Sequence, residues 1–396
     1  MSVETLPRRS FLRVVACSGI AATLPPLVSG CSTDYPAEAV DAWRGPAAGA
    51  DLRRFALGYA VLAPNSHNRQ PWLVDLREPD GIVLRVDRER LLPETDPWFR
   101  QIVVSQGTFI EALVLALRAR GVEPVVRLFP EGEFAARGLD DRPVARITWR
   151  PAASGAAADP LFAQLLHRHT AKVDYDVSRP VAPATLAALS TSFDDPAVRF
   201  GGTVEPQPRD ALREICWEAA KVELLTPRTV MESIRLTRVG PDEIARHRDG
   251  ISINSLLPRL AEAVGAFDRT SPPAEGSTAQ RQMLSRFEGH SRTAMGFVWL
   301  STPRGSGAAG TREAEVRAGR AYMRLQLKAT ELGLQVHPMS QAVQEFAEMK
   351  PLLDRLHAQV LGRPASDEAL QMFCRVGYAA QQQHSPRRGV DAVLRS

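Results

Sequence analysis

The chain has 396 residues, of which 44% are hydrophobic, 24% charged and 6% aromatic, a composition typical of one or two globular domains. This excludes fibrous, disulfide-framework and wholly disordered classes. The formal charge is only +4, from 49 Lys and Arg against 45 Asp and Glu, so neither nucleic-acid binding nor a polybasic membrane patch is expected. The four cysteines and eight histidines are dispersed and show no metal-ligand spacing, so no metal site is predicted.

Residues 1–30 resemble a twin-arginine export signal. Arg8 and Arg9 stand before Phe-Leu-Arg, and the weakly apolar run that follows is too short to span a bilayer. The sequence ending at Cys31 resembles a lipoprotein cleavage box, in which Cys31 becomes lipidated; the alternative is cleavage without lipid, which leaves a soluble product. We expect the twin-arginine translocation machinery to export the chain, either to the periplasm or to the outer face of the cell envelope.

Residues 31–50 are rich in Ala, Pro and Gly and are predicted to be a tether. From residue 51 onward, helical and strand patterns are mixed. The apolar spacing and the turn residues predict a helix over 52–62, a hairpin of strands 70–76 and 82–86, a helix over 106–120, strands over 125–129 and 144–149, a linker over 151–159, a helix over 161–169, a strand over 296–300, a helix over 313–332, and strands over 334–336 and 372–378.

Two of these helices show a weak internal repeat. Gly107 stands fourteen residues before the helix-ending Gly121, and Gly319 stands equally far before Gly333; a strand follows each helix. Residues 243–293 are polar and interrupted by Gly and Pro, which predicts an insertion that forms a lid over a site.

The first candidate site segment runs from Ala63 to Trp72, with the sequence APNSHNRQPW. Its Pro and Asn residues disfavour a helix, and it brings backbone N–H groups and short amide and hydroxyl side chains to a strand edge. Such groups suit a planar heterocycle. The alternative is an ordinary turn between a helix and a strand.

The second candidate segment runs from Arg168 to Asp176, with the sequence RHTAKVDYD. We expect Arg168 and Lys172 to lie one helical turn apart with the Thr170 hydroxyl nearby, which would make a phosphate site. Lys172 is notable because the chain has only four lysines, at positions 172, 221, 328 and 350, and a random basic position would be arginine. The alternative is a solvated basic helix end.

Together the two segments resemble the nitroreductase family of flavin enzymes, and more closely its exported, internally duplicated branch that binds flavin mononucleotide (FMN). The resemblance covers most of residues 51–380. It implies an α+β, nitroreductase-like fold with mixed sheets flanked by helices, in which two fused halves, 51–155 and 156–380, form a pseudo-dimer. Residues 381–396 are left as a tail.

The resemblance also implies roles for individual residues. It assigns the flavin phosphate and ribityl chain to Arg168, Thr170 and Lys172, and places His169 beside the ring. The remaining expected flavin contacts are Pro64, Asn65, Ser66 and Asn68 from across the interface between the halves, Arg375 as a second phosphate-binding arginine, and Pro338 and Met339 in a loop at the face of the ring.

Each half contains only one of the two motifs, so the sequence predicts a single FMN per chain and a monomeric pseudo-dimer. The implied function is an oxidoreductase that passes hydride or electrons through FMN from a small-molecule donor to a nitroaromatic- or quinone-like acceptor. No catalytic side chain is expected, because the cofactor carries the chemistry. Since nicotinamide donors are scarce outside the cytoplasm, two alternatives stay open: a slow or non-catalytic flavin-sequestering protein, and a lipid-anchored binding protein without a cofactor.

Overall fold

The computed structural model describes residues 33–153, 158–265, 267–304, 311–362 and 368–395. The predicted export signal and Cys31 lie outside the described residues. The chain divides into two units, Met1–Asp34 and Tyr35–Ser396, and the second unit contains every element discussed below.

The second unit contains ten strands and eleven α-helices within the described residues. The strands are β1 Trp72–Asp75, β2 Ile82–Val86, β3 Val122–Leu128, β4 Ala145–Pro151, β5 Arg199–Thr203, β6 Thr237–Val239, β7 Ile251–Ile253, β8 Gly296–Pro303, β9 Gln335–Pro338 and β10 Glu368–Gly377. The helices are α1 Ala37–Val40, α2 Leu52–Ala60, α3 Arg100–Arg118, α4 Pro183–Ser190, α5 Pro206–Leu225, α6 Pro227–Arg235, α7 Pro241–His247, α8 Leu256–Ala263, α9 Thr278–Arg292, α10 Thr311–Glu331 and α11 Lys350–Leu361.

Two four-stranded sheets organise the fold, and their strand orders match. The first has the order β1-β2-β4-β3 and the second β5-β8-β10-β9. In each sheet a long helix, α3 or α10, joins the second strand to the third. The predicted α+β class is confirmed. Both sheets are antiparallel throughout rather than mixed, because the two strands that each long helix connects are separated by the fourth strand.

The second half carries a long insertion between its first two strands. Residues 204–295 join β5 to β8, whereas residues 76–81 join β1 to β2. The insertion contains α5 to α9 and the small parallel pair of β6 with β7. It therefore begins well before residue 243, where the sequence pattern predicted it to start. The prediction was late because the amphipathic pattern of α5 is like that of the core helices and does not mark it as inserted.

The helices α3 and α10 cross at two glycines. A Cβ atom on Gly107 would lie 2.1 Å from the Val316 oxygen and 2.9 Å from the Gly319 Cα. A Cβ on Gly319 would lie 2.0 Å from the Val104 oxygen and 2.9 Å from the Gly107 Cα. The two glycines of the sequence repeat are thus opposite each other, and the contacts of one mirror those of the other.

The interior position of α3 explains its unusual composition. By length and composition α3 could span a membrane, but all of its apolar window is buried inside the protein. It begins at Arg100, earlier than the predicted residue 106, because the Asp96 carboxylate accepts hydrogen bonds from the N–H groups of Gln101 and Ile102.

The predicted helix at 52–62 and the hairpin are confirmed, with α2 capped by the Asp51 side chain.

The glycine crossing can be tested by Gly107→Ala. The added methyl group has no space against backbone atoms of α10, so we expect a loss of about 1–3 kcal/mol in the free energy of unfolding. Urea denaturation measures this loss. Gly138→Ala is the matched control, since its Cβ would meet only the Ala135 Cβ at 3.7 Å. Equal stability of the two variants would contradict the close approach.

Candidate functional site

The loop between α2 and β1 has an unusual backbone. His67, Asn68 and Gln70 have φ angles of 48°, 52° and 52°, in the left-handed region that non-glycine residues rarely adopt. The Asn65 side chain maintains this conformation, since its Oδ1 accepts from the Gln70 N–H at 2.7 Å and its Nδ2 donates to the Ala63 oxygen at 3.1 Å. Backbone strain of this kind is typical of functional loops.

Most of the predicted flavin-contacting residues of this loop form hydrogen bonds that fix the conformation of the loop. The Ser66 hydroxyl donates to Gln101 Oε1 at 3.1 Å, and the Pro64 oxygen accepts from the Thr108 hydroxyl at 2.7 Å. Asn68 Nδ2 donates to the Pro386 oxygen at 3.0 Å, and Asn68 Oδ1 accepts from the Arg387 guanidinium. The loop is therefore tied to the C-terminal segment.

The segment around Lys172 differs from its predicted conformation. The predicted helix over 161–169 is wrong: a short 3-10 helix, Pro160–Gln164, ends before Arg168, and residues 168–172 are irregular. Arg168 and Lys172 are consequently not one helical turn apart. Side chains from elsewhere bind the carbonyl oxygens of Ala171, Lys172 and Val173, so the chain does not continue as a helix through Lys172.

Arg168 is buried without a counter-charge. Its side chain is 2% exposed, its Nη2 donates to the Leu62 oxygen at 2.9 Å, and its Nε has no hydrogen-bond partner among the described residues. Burial lowers its pKa to about 10. The Leu62 oxygen lies at the end of the α2–β1 connection, so Arg168 joins the two segments that the sequence singled out.

Arg387 is a second buried cation in the same place, and the sequence analysis missed it. It is 3% exposed and donates to neutral oxygens of Asn68, Leu62 and Ala63. Burial and the charge of Arg168 hold its pKa well below the ordinary value. Within the described part of the chain, no carboxylate lies within 4 Å of Arg168 or Arg387.

Aromatic and imidazole side chains surround these two cations. The guanidinium carbons of Arg168 and Arg387 lie 5.5 and 5.4 Å from the Trp43 ring centre, and His384 stacks on that ring at 4.1 Å. His169 meets His384 edge to face at 6.2 Å. Four buried nitrogens here have no partner in the structure: Arg168 Nε, His169 Nε2, His384 Nδ1 and Arg387 Nε.

We call Arg168, His169, His384 and Arg387, with Trp43, the cation cluster. Buried charges are normally paired, because desolvating an unpaired ion costs several kcal/mol. Two buried arginines that face only neutral oxygens, with free N–H groups beside them, therefore have the chemistry of an oxyanion site. A phosphate group fits this donor set.

Lys172 lies close to both the cation cluster and the strained loop. Lys172 itself is an exposed residue. Desolvation, together with the charges of Arg286 and Arg387, lowers its pKa to about 8. Desolvation and, to a smaller extent, the charge of Lys172 lower the pKa of His67 to about 4. The structure thus brings the two predicted segments together.

The insertion also reaches the site. On α9, His290 donates from Nε2 to the Lys172 oxygen at 3.1 Å, and Arg286 is near enough to influence the pKa of Lys172. Desolvation and nearby cations lower the pKa of His290 to about 3. The insertion therefore adds a positive charge and a neutral imidazole to the site and leaves the site strongly cationic.

The other predicted flavin contacts are in or beside the second sheet: Arg375 in β10, Pro338 at the end of β9, and Met339 directly after it. Arg375 is fully buried, and it donates to the oxygens of Val173 at 2.7 Å and His290 at 2.8 Å and to His337 Nδ1 at 3.0 Å. Pro338 lies in β9 opposite Cys374 in β10, and Met339 is buried in the core. Arg375 therefore positions the segment that carries Lys172. Thr170 is partly exposed beside that segment.

The residues that sequence reasoning missed lie at the two ends of the chain. Trp43 falls in the predicted tether, and His384 and Arg387 fall in the predicted tail. Adjacent arginines at 387 and 388 were the available signal.

A separate cavity of about 520 Å³ lies near the ends of α3 and α10, but its Arg118 and Lys328 are paired with Glu123 and Glu331. This cavity thus has charges that are already balanced, unlike the cation cluster.

Comparison with known proteins shows relatives along most of the chain. Two proteins of Mycobacterium tuberculosis, Rv3131 and acg, are provisionally named NAD(P)H nitroreductases. Rv3131 is 28% identical over 350 residues, which cover 85% of this chain and 89% of its own. Acg is 24% identical over 359 residues, which cover 87% and 95%. The resemblance to nitroreductases that the two motifs predicted is confirmed by these relatives.

Among solved structures, the FMN-dependent nitroreductase NfnB of Mycobacterium smegmatis, in complex with NADPH, is 18% identical to this chain. The match covers 58% of this chain and 94% of NfnB, with a TM-score of 0.34. No protein-family model matches the chain.

The cation cluster can be tested with a simple oxyanion. Sulfate should stabilise the flavin-free protein relative to chloride at equal ionic strength, by about 1.4 kcal/mol at ten times its dissociation constant. Thermal unfolding measures the effect. Arg168→Met should abolish it, whereas Arg146→Met, on the exposed face of β4, should keep it. Equal stabilisation of all three proteins would show that sulfate binds elsewhere.

Proposed function

We propose that the chain is an FMN-binding oxidoreductase of the nitroreductase type. The observation that carries the proposal is the cation cluster beside Lys172 and the strained loop, in a chain whose relatives are named nitroreductases. Buried unpaired arginines are matched in charge and hydrogen bonding by the phosphate of FMN.

Different residues would hold different parts of the cofactor. Arg168, Arg387 and Lys172 would bind the phosphate, Thr170 and His169 would contact the ribityl chain and ring, and Arg375 would position the segment that carries Lys172. When bound, FMN supplies the hydride and electron transfer. The surplus of positive charge from Lys172 and Arg286 lowers the free energy of a negatively charged, reduced cofactor relative to its neutral form.

The proposed donor is NADPH or NADH, and the proposed acceptor is a nitroaromatic- or quinone-like molecule. NADPH is present in the NfnB complex, a protein of similar type. A second candidate function is a slow flavin-sequestering protein. It is favoured by the insertion, whose His290 and Arg286 stand against Lys172, and by the export signal, since nicotinamide donors are scarce outside the cytoplasm.

We further propose that the two halves arose by duplication and that each chain is a monomeric pseudo-dimer with one flavin. The matching strand orders and the reciprocal contacts of Gly107 and Gly319 support this. Residues 1–30 would direct export by the twin-arginine machinery to the periplasm or outer face of the envelope. Cys31 would carry the lipid anchor. The tether would be shorter than the predicted residues 31–50, because α1 and Trp43 pack within the folded unit.

Removing two cations should remove the flavin. We expect Arg168→Ala with Lys172→Ala to give folded but colourless protein, because the phosphate loses its charged partners. Visible absorbance and far-ultraviolet circular dichroism measure flavin content and folding. Lys350→Ala with Arg146→Ala, both on the surface, is the charge-matched control and should stay yellow. Retention of one flavin per chain in the first variant would refute the phosphate assignment.

Binding should depend on pH through Lys172. Its pKa of about 8 in the free protein would rise when a phosphate dianion binds, so FMN affinity should fall above pH 8, by at most about tenfold per pH unit. Fluorescence quenching between pH 7 and 9.5 measures the dissociation constant. Riboflavin, which has no phosphate, and the Lys172→Met variant should show no such fall. A parallel fall for FMN and riboflavin would contradict the assignment.

Turnover separates the two candidate functions. For an oxidoreductase, anaerobic NADPH or NADH should bleach the bound flavin, and a nitroaromatic or quinone should restore its absorbance over repeated cycles. Stopped-flow absorbance measures both half-reactions. Flavin that stays oxidised with either nicotinamide, but is reduced by dithionite, would favour the sequestering protein.

A further inference from the structure

The helix α8 exposes apolar side chains to solvent. Leu256 is 51% exposed, Leu257 73%, Leu260 53% and Val264, directly after the helix, 78%. At 3.6 residues per turn these four positions fall within an arc of about 100° on one side of the helix. No residue of α8 is buried. We call these four residues the α8 apolar face.

The other side of α8 carries the charged residues Arg259 and Glu262. Glu262 Oε1 accepts from Arg269 at 3.3 Å, and Arg269 is also paired with Glu243 of α7 at 2.6 Å. Surface helices normally bury the apolar side and expose the polar one. In α8 the exposed side is the apolar one. A contiguous exposed apolar face of this kind marks an interaction surface.

The N-terminal part of the chain joins the protein beside α8. The Tyr35 hydroxyl donates to the Ser252 oxygen in β7 at 3.4 Å, and Ser252 stands only four residues before Leu256. Cys31 precedes Tyr35 by four residues, which span at most about 14 Å when fully extended. A lipid attached at Cys31 would therefore hold the α8 side of the protein close to the bilayer.

We propose that the α8 apolar face docks onto the surface of a lipid bilayer. The helix has the features of an interfacial helix, with leucines on one side and a charged side that stays in water. This proposal rests on the proposed export and lipidation of Cys31, and it adds a protein surface that shares the anchoring.

The test uses the full chain with Cys31→Ser, so that no lipid can be attached. Co-sedimentation with vesicles of phosphatidylcholine and phosphatidylglycerol measures binding. We expect Leu256→Glu, Leu257→Glu and Leu260→Glu together to lower the vesicle-bound fraction at least fivefold. The matched control is Val125→Glu, Val177→Glu and Leu225→Glu together, three apolar residues exposed elsewhere, which should bind like the parent.

Three outcomes would overturn the proposal: no vesicle binding by the parent, equal binding by the triple variant, or equal loss in the control. A concentration-dependent dimer that the triple variant abolishes, without vesicle binding by the parent, would instead assign the face to a second copy. Circular dichroism checks that each variant folds. Flavin content is measured in the same samples, so a failure of the FMN proposal is seen separately from a failure of docking.

Discussion

Two buried guanidinium groups lie side by side with no carboxylate near them in the part of the chain that the structure describes, and the rest of the site depends on this constraint. Arg168 and Arg387 are almost fully buried, and the cost of burying each is offset only in part, by hydrogen bonds to neutral oxygens and by contact with the Trp43 ring. An ion pair would have been the ordinary solution, and the same chain uses it at Asp249, which binds Arg69, Arg90 and Arg238. The unpaired cations therefore mark where an anion belongs.

The fold brings these charges together from distant parts of the chain. The glycine crossing of α3 and α10 lets the two halves approach until their backbones touch, which brings the α2–β1 loop against the second half. The C-terminal segment then returns over the first half, where the Arg395 N–H donates to the Val74 oxygen of β1 at 2.7 Å. This return places Arg387 beside Asn68. Neither half alone contains the complete cation cluster.

The sequence predicted the parts of this arrangement that local patterns encode. Apolar spacing located α2, α3, α10 and the first hairpin, and turn-forming residues located the loop at 63–72. The helix proposed at 161–169 was wrong, and the conformation of the chain that follows depends on distant residues: Arg375 and His290 bind the carbonyls of Val173 and Lys172 from other elements. Arg387 was missed for the same reason, since a tail arginine acquires its role only when the chain returns to Asn68.

The most direct test of a single composite site is native mass spectrometry of the protein after addition of excess FMN and removal of the unbound fraction. The account predicts one species, a single chain that carries one FMN. Chains without FMN, or a dimer of two chains as the smallest species that retains flavin, would contradict it.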